Sequence, residues 1–410
     1  MGNVAPARAG VGADHNHLDL VIVGGCGHVG LPLALSFADV GRRVGIYDID
    51  SAKIDRVKRG EMPFREQGAD ELLARLLPTG RLELTDKPEI LARGDTVILV
   101  IGTPIDEFMN PSMRVFQHAV DELGPHVRDG ALVVLRSTVY PGTTEYVSER
   151  LAHLGRQVDV AFCPERVAEG HAVEEIRSLP QLIGAGTDTA FQRACELFEA
   201  LDVEIVRTAP KEAEMAKLLT NTWRYMKFAI ANQFFQMAHS AGLDYNNVLH
   251  AVRHHYPRAA DLPGPGFAAG PCLLKDTMQL AAFSADQFPM GHAAMLINEG
   301  LPGYIVRSLD QNGRLKGQAV GILGMAFKGD SDDSRTSLSY KLKKLLSFHG
   351  ASVLTTDPYV DDADLLPVGE VIERSTILII GAPHAQYSSI RLNGQDVVDV
   401  WGVTGQGVRI

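Results

Sequence analysis

Five of the six residues in Leu18-Asp19-Leu20-Val21-Ile22-Val23 are apolar, and Gly24-Gly25 ends the run. A stretch so short and so apolar predicts a strand buried on both faces of a parallel sheet. A helix is predicted from His28 to Asp39 and a strand over Arg43–Tyr47. Further strands fall over Thr96–Ile101, Ala131–Arg136 and Val158–Cys163, with helices over Ala69–Leu77 and Pro111–Leu123 between them. A strand-helix-strand unit, Gln181–Ile183, Thr189–Leu201 and Glu204–Arg207, closes the series. This alternation is the pattern of a doubly wound α/β domain.

From Lys211 the period changes. Lys211–Ala241 carries apolar residues at helical spacing without an interior Pro or Gly. About 30 residues of helix span roughly 45 Å, long enough to join two domains or to pack on a second subunit. More helix is predicted over Asn246–Val252 and from about Thr277 through Arg307. Near Gln318 the α/β pattern returns, with strands at Ala319–Gly324, Ser352–Thr356 and Thr376–Gly381 and a helix at Ser337–Phe348. The expected fold class is α/β, with two Rossmann-like doubly wound domains joined by a long central helix and a helical region. The expected divisions are a flexible tail at 1–16, a first domain at 17–209, a helical domain at 210–310 and a last domain at 311–410.

Composition narrows the function classes. The 410 residues are 45% hydrophobic and 22% charged, an ordinary globular balance fitting two or three domains. A net charge of −11 argues against general nucleic-acid affinity, although local cations and backbone N–H groups can still bind a diphosphate. Cys26, Cys163, Cys195 and Cys272 lie far apart with no CxxC pair, which points to a reducing cytoplasm. Residues 1–16 lack the apolar core of a signal peptide. The most apolar segments are strand-length, so no membrane span is expected.

Gly25-Cys26-Gly27-His28-Val29-Gly30 is a GxGxxG placed between strand and helix. Its glycines allow a tight turn and close approach of a pyrophosphate, while Gly25, Gly27, His28, Val29 and Gly30 lead into the helix N-terminus. Asp48 ends the second strand, where a carboxylate accepts ribose hydroxyls and favours NAD over NADP. Arg42 and Arg43 keep a 2′-phosphate reader open. Thr103, in Gly102-Thr103-Pro104, and Thr138, in Ser137-Thr138-Val139-Tyr140-Pro141-Gly142, follow strand ends, where ligands bind in open α/β sheets. Ordinary turn and cap chemistry is the alternative for both. Glu165, in Cys163-Pro164-Glu165-Arg166, is a candidate acid, base or water-orienting group; taken alone it reads as a solvated loop residue.

Lys217, Asn221 and Arg224 share one helix face. Lys217 and Asn221 can stabilise an oxyanion, or the three can form a plain polar stripe. Cys272 sits in Gly264-Pro265-Gly266-Phe267-Ala268-Ala269-Gly270-Pro271-Cys272-Leu273-Leu274-Lys275-Asp276. An ammonium at +3 favours thiolate, and the Gly/Pro-rich loop admits a ligand close to backbone; a buried, inert cysteine is the alternative. A hydride acceptor together with a thiol that traps an aldehyde predicts oxidation of a primary alcohol, through aldehyde and thioester, to a carboxylate. Lys328 and Arg335, in Phe327-Lys328-Gly329-Asp330-Ser331-Asp332-Asp333-Ser334-Arg335, offer two cations to phosphate or sugar; a surface charge cluster is the alternative.

In order along the chain, these segments resemble the UDP-glucose/GDP-mannose dehydrogenase family, the NAD-dependent nucleotide-sugar 6-dehydrogenases. The carriers are Gly25–Gly30 with Leu31-Pro32, Ser137–Glu145, Cys163–Glu165 with Glu169-Gly170, Glu214–Arg224, Pro263–Asp276, Gly324–Arg335 and Asp357-Pro358-Tyr359. The resemblance implies an NAD domain, a helical dimerisation region and a C-terminal domain for the nucleotide sugar. It implies Cys272 as nucleophile and Lys217 with Asn221 as the oxyanion pair. Asp276, Thr138 and Glu165 would handle water and protons, with Lys275 and Arg335 on the cofactor side. Arg258, Phe267, Gly270, Phe327 and Lys328 would meet the substrate together with Glu165, Lys217 and Asn221, and Arg258 could act from a partner subunit of a homodimer or larger homo-oligomer. The cysteine loop departs from the glucose type, reading Ala268-Ala269-Gly270-Pro271 where Gly-Gly-Ser is usual. Lys275-Asp276 leans toward the glucose type and Tyr256-Pro257-Arg258 toward the N-acetylhexosamine type. UDP-glucose is the first expectation for the substrate and a UDP-N-acetylhexosamine the second. A two-electron β-hydroxyacid-type dehydrogenase and a non-catalytic nucleotide-sugar-binding protein are the rival classes.

Overall fold

The computed structural model describes residues 16–103, 113–285, 287–391, 394–405 and 410. The expected tail therefore lies almost wholly outside the described residues, as does the start of the helix expected from Pro111. The described residues form two compact units, one ending at Glu214 and the other beginning at Met215.

The first unit is an eight-stranded sheet. Its strands are β1 (Leu18–Val23), β2 (Val44–Tyr47), β3 (Leu82–Thr85), β4 (Gly94–Leu99), β5 (Leu132–Leu135), β6 (Asp159–Phe162), β7 (Gln181–Ala185) and β8 (Ile205–Thr208). The order is β3-β2-β1-β4-β5-β6-β7-β8, so the direction of winding reverses between β1 and β4. Ligands bind at such a reversal, outside the carboxyl ends of the strands. All pairs are parallel except β6 with β7, which run antiparallel with Ala161 opposite Ala185. Leu20 and Ile22 pack with the helix Gly30–Asp39 on one side of the sheet; Val21 and Val23 pack with Phe116 and Val147 on the other. That double burial is why β1 reads as a continuous apolar run. β3 was not expected from the sequence: it is an edge strand in which only Leu84 is buried.

Glu214 closes this unit. Its carboxylate accepts hydrogen bonds from the N–H of Gly142 (2.5 Å) and the N–H of Thr144 (2.7 Å), and from the Thr144 hydroxyl (2.6 Å). It thereby satisfies the start of the helix Thr143–His153, which has no side-chain cap of its own. Burial pushes the Glu214 carboxyl up, and these three donors pull against it.

The long helix runs from Pro210 to Ser240, as its spacing predicted. The helix expected from Thr277 through Arg307 is instead two, Leu273–Phe283 and Pro289–Leu309. Ala285 is left-handed (φ 50°) between them, and Pro289 starts the second helix, where its missing N–H costs nothing. The second sheet is parallel, in the order β10-β9-β11-β12, with β9 Ala319–Leu323, β10 Ser352–Thr356, β11 Ile377–Ile380 and β12 Asp396–Val398. Phe235, Tyr245, Phe267, Leu301 and Ile305 share one core with Val320, Ile322, Leu342 and Ile379. The helical segment and the last sheet thus form one unit because they bury their apolar faces against each other. Among the described residues, no helix is long and apolar enough to cross a membrane.

Candidate active site

In the first unit, the turn after β1 is built for close approach. A Cβ on Gly30 would stand 2.4 Å from the Gly24 carbonyl oxygen, so this position packs helix against strand. A Cβ on Gly27 would meet only the Gly24 oxygen, at 3.5 Å. Gly27 therefore leaves the outer side of the turn open, the side a pyrophosphate needs. Val29 precedes the helix Gly30–Asp39 without a side-chain cap, so no side chain covers the helix N-terminus that a pyrophosphate would approach, although Leu31 N–H already donates to the Gly27 carbonyl (3.0 Å) and Pro32 has no N–H. The His28 ring lies 4.1 Å from that of Phe64, centre to centre. Asp48 is held by the turn itself, accepting from the N–H of Cys26 (2.9 Å) and of Asp50 (3.0 Å). Arg42, the rival reader of a 2′-phosphate, stands 3.5 Å from the Asp19 carboxylate.

These residues fit NAD. A 2′-phosphate would face the Asp48 carboxylate, so kcat/KM with NADP is expected to be lower by about 100-fold or more. Equal turnover with the two cofactors would remove this assignment.

The loops after β4, β5 and β6 are tied to one another. The Thr103 hydroxyl donates to the Thr138 carbonyl at 2.8 Å, and the Ile101 N–H donates to Ser137 Oγ at 2.7 Å. Thr103 is buried and its proton is spent on this tie, while Thr138 is half-buried. Glu165 is not the solvated residue that its loop position suggested. It is buried, and Arg136 bridges to its Oε2 through Nε (2.8 Å) and Nη2. Its Oε1 accepts from the N–H of Arg166 (2.7 Å) and of Val167 (2.9 Å). Arg136 also reaches the Cys163 carbonyl and Gln181 Oε1. Held in this way, Glu165 anchors its loop, and proton handling by it would require the Arg136 bridge to open.

In the second unit, Cys272 is exposed and stands at the N-cap of the helix Leu273–Phe283, with no side-chain cap hydrogen bond. The partial positive charge of that helix end favours an anionic sulfur. One turn on, Asp276 is completely buried. Its Oδ2 accepts from Asn221 Nδ2 at 2.5 Å. Lys275 Nζ stands 3.0 Å from Oδ1, close as an ion pair though poorly aligned as a hydrogen bond. Lys217 and Asn221 are both buried on the long helix, but Arg224 of the same stripe is exposed. The stripe is therefore two buried residues and one exposed residue. A thiol at a helix end, a buried carboxylate one turn below it and an amide on that carboxylate can hold a nucleophile and orient a water.

The loop before Cys272 is clamped. Asn232 reads the Gly266 backbone from both sides, accepting from its N–H (2.8 Å) and donating to its carbonyl (2.9 Å). Asn298 Oδ1 accepts the other Asn232 proton at 2.9 Å. Trp401 covers the far side, so close that a Cβ on Gly266 would be 2.2 Å from the indole. Phe267 is buried, edge-on to Trp401. Gly270 is left-handed (φ 102°), and a Cβ there would lie 2.6 Å from the Phe327 ring. The structure thus brings Gly270 and Phe327 together, with Lys328 Nζ 6.0 Å from the centre of the Phe327 ring. Arg335 is exposed and forks onto Asp333, its Nε 2.9 Å from both carboxylate oxygens. Arg258 is exposed on the turn Pro257–Ala259, over the Tyr256 ring at 5.8 Å. Asn232, Asn298, Arg136 and Trp401 were missed by sequence reading, because isolated polar or aromatic residues carry no local signal of what they touch.

Comparison with known proteins covers nearly the whole chain. Three domains of the UDP-glucose/GDP-mannose dehydrogenase family match it: the NAD binding domain over residues 19–202, the central domain over 211–300 and the UDP binding domain over 321–406. A UDP-N-acetyl-D-mannosamine dehydrogenase of Pyrococcus horikoshii is 31% identical over 382 residues, 90% of each chain. The solved UDP-D-ManNAc dehydrogenase of the same organism superposes with a TM-score of 0.86 at 29% identity, covering 93% of this chain and 94% of that one. The UDP-glucose dehydrogenase of Pyrobaculum islandicum superposes with a TM-score of 0.87 at 30% identity, covering 95% and 96%.

Proposed function

The chain belongs to the UDP-glucose/GDP-mannose dehydrogenase family of NAD-dependent enzymes that oxidise CH–OH groups, and we propose that it carries the C6 hydroxyl of a UDP-linked N-acetylhexosamine to the carboxylate. The observation that carries the reaction class is the exposed Cys272 at a helix N-terminus above the buried Asp276–Asn221 pair. The sugar is where the sequence expectation shifts. UDP-glucose came first on the Lys275-Asp276 motif, whereas the Pyrococcus horikoshii relative at 31% identity is named a UDP-N-acetyl-D-mannosamine dehydrogenase. Tyr256-Pro257-Arg258 supports the same sugar class. UDP-glucose stays as the second reading because of the Pyrobaculum structure.

NAD, when bound at the first unit's turn, takes up hydride from the substrate carbon, two equivalents for each uronate formed. The Cys272 thiolate adds to the C6 aldehyde and makes a thiohemiacetal, whose carbinol C–H can be oxidised again. Lys217 and Asn221 stabilise the oxygen as charge builds on it. Loss of the second hydride leaves a Cys272 thioester. Water, oriented by Asp276, attacks this carbonyl, and the thiolate leaves as the uronate forms. Phe267, Gly270, Phe327 and Lys328 would seat the nucleotide sugar, with Arg258 reaching the sugar.

The test is NADH production against UDP-N-acetylmannosamine, UDP-N-acetylglucosamine and UDP-glucose, with the ratio of NADH to sugar measured for each. Two NADH per N-acetylhexosamine is expected, with kcat/KM at least about tenfold above that for UDP-glucose. A preference for UDP-glucose would select the second reading, and one NADH per sugar would remove the thioester route.

A further inference from the structure

Phe327 and Lys328 lie between two backbone anchors that meet in a buried pair, Asp357 and His384. Asp357 follows β10, and its side chain is wholly buried. Its Oδ2 accepts from the N–H of Met325 (2.7 Å) and of Ala326 (2.9 Å), the two residues before Phe327. Its Oδ1 accepts from the N–H of Tyr359 (2.8 Å) and of Val360 (3.0 Å). His384 follows β11, also wholly buried, with Nε2 3.0 Å from Asp357 Oδ2. Its Nδ1 is 2.8 Å from the backbone nitrogen of Asp330, two residues after Lys328.

An N–H can only donate, so Nδ1 must accept and the ring proton sits on Nε2, facing Asp357; the network assigns the tautomer. Asp330 Oδ1 in turn accepts the N–H of Ala385 at 3.0 Å. Gly329 lies so close to this loop that a Cβ would stand 2.5 Å from the Pro383 carbonyl oxygen. The rings of Tyr359 and Tyr387 flank the imidazole at 5.1 and 5.3 Å. Burial works against the Asp357 carboxylate, yet His384 and the backbone donors draw it below the usual carboxylate range. A buried carboxylate with all its donors supplied is a rigid support, because no water can replace a lost partner.

We propose that Asp357 and His384 are positioning residues: one hub ties the loops after β9, β10 and β11 and presets Phe327 and Lys328 for the nucleoside diphosphate of the substrate. This rests on the reading of Lys328 as a substrate residue. The hub acts through backbone, so it affects where Lys328 is held and leaves the thiol chemistry alone.

The experiment uses the full chain, with UDP as the probe so that the identity of the sugar does not enter. UDP and NAD affinities are measured by calorimetry for wild type, Lys328→Ala, His384→Asn and His384→Gln. His384→Asn keeps an acceptor for Asp330 and loses the Asp357 bond; His384→Gln does the reverse. Either His384 variant is expected to raise the Kd for UDP by about 5- to 30-fold, the effect of losing one buried hydrogen bond, with the Kd for NAD unchanged. An unchanged UDP affinity in a folded variant overturns the hub, as does an equal loss for UDP and NAD. Should both His384 variants fail to fold, Asp330→Gly carries the test. It suits the left-handed backbone there (φ 54°) and removes the tie to Ala385. It should weaken UDP by about threefold, and no change in it overturns the proposal. If Lys328→Ala leaves UDP binding intact, the reading of Lys328 has failed; if it weakens UDP while the hub variants do not, the hub alone has failed.

Discussion

Cys272→Ala is expected to end uronate formation while leaving the protein folded and able to bind NAD. The thiol is exposed at a helix end, so its removal should change stability by less than about 0.5 kcal/mol. In the proposed route the second oxidation goes through a covalent adduct, so acid formation should fall by at least about a thousandfold. The first hydride transfer does not need the sulfur, and slow, reversible aldehyde formation should remain. Product analysis by mass spectrometry, with NADH counted in parallel, separates the two steps. Cys272→Ser sharpens the result: an oxygen ester is far less labile, so a covalent sugar adduct should accumulate and be seen in the intact mass. Acid formed by Cys272→Ala at a rate near wild type would falsify the thioester route and leave a two-electron alcohol dehydrogenase as the better reading.

Asp276→Asn should lower kcat by about 100- to 1,000-fold with little change in KM. The substitution keeps the shape of a completely buried side chain but removes its charge. It also sets an amide against the Asn221 Nδ2 that Asp276 now accepts, and leaves Lys275 without its counter-ion. Because the groups act together, Asn221→Ala added to Asp276→Asn should cost much less than the product of the two single losses. A thermal melt on each variant guards against a purely structural effect. If Asp276→Asn lowers the melting temperature but keeps kcat, the carboxylate only supports the helix pair.

Where one segment determines its own structure, the sequence was legible. β1 could be read because both of its faces are buried, and the long helix because 31 residues keep one period. β3 escaped because it is an edge strand that buries only Leu84, and β12 because three residues are too few to show a pattern. β7 was expected as a strand over Gln181–Ile183, but its antiparallel direction was not, because alternation does not encode direction. The expected single helix hid a break because Ala285 takes a left-handed conformation that its residue type does not announce. The site divides in the same way. Cys272, Lys275 and Asp276 are neighbours in sequence, and their chemistry could be read from spacing. The Asn221–Asp276 bond spans 55 positions and the Arg136–Glu165 bridge spans 29, so both depend on packing that no local pattern carries. Family resemblance named Glu165 but not its partner, and that partner alters what Glu165 can do.

The cysteines differ sharply in what surrounds them. Burial pushes the thiols of Cys26 and Cys163 up to about 12, and that of Cys195 upward as well. Cys272 alone of the four is exposed. The native protein therefore carries a built-in titrant. A small alkylating reagent should add one label per chain, and under the proposed mechanism the fraction labelled would count the competent centres in a preparation, independent of any assay. The same asymmetry sets how the enzyme ages under peroxide. Under the proposed mechanism, oxidation of that one sulfur atom is expected to silence turnover while the fold persists, and if the damage stops at the sulfenic acid a thiol reductant should restore activity without refolding.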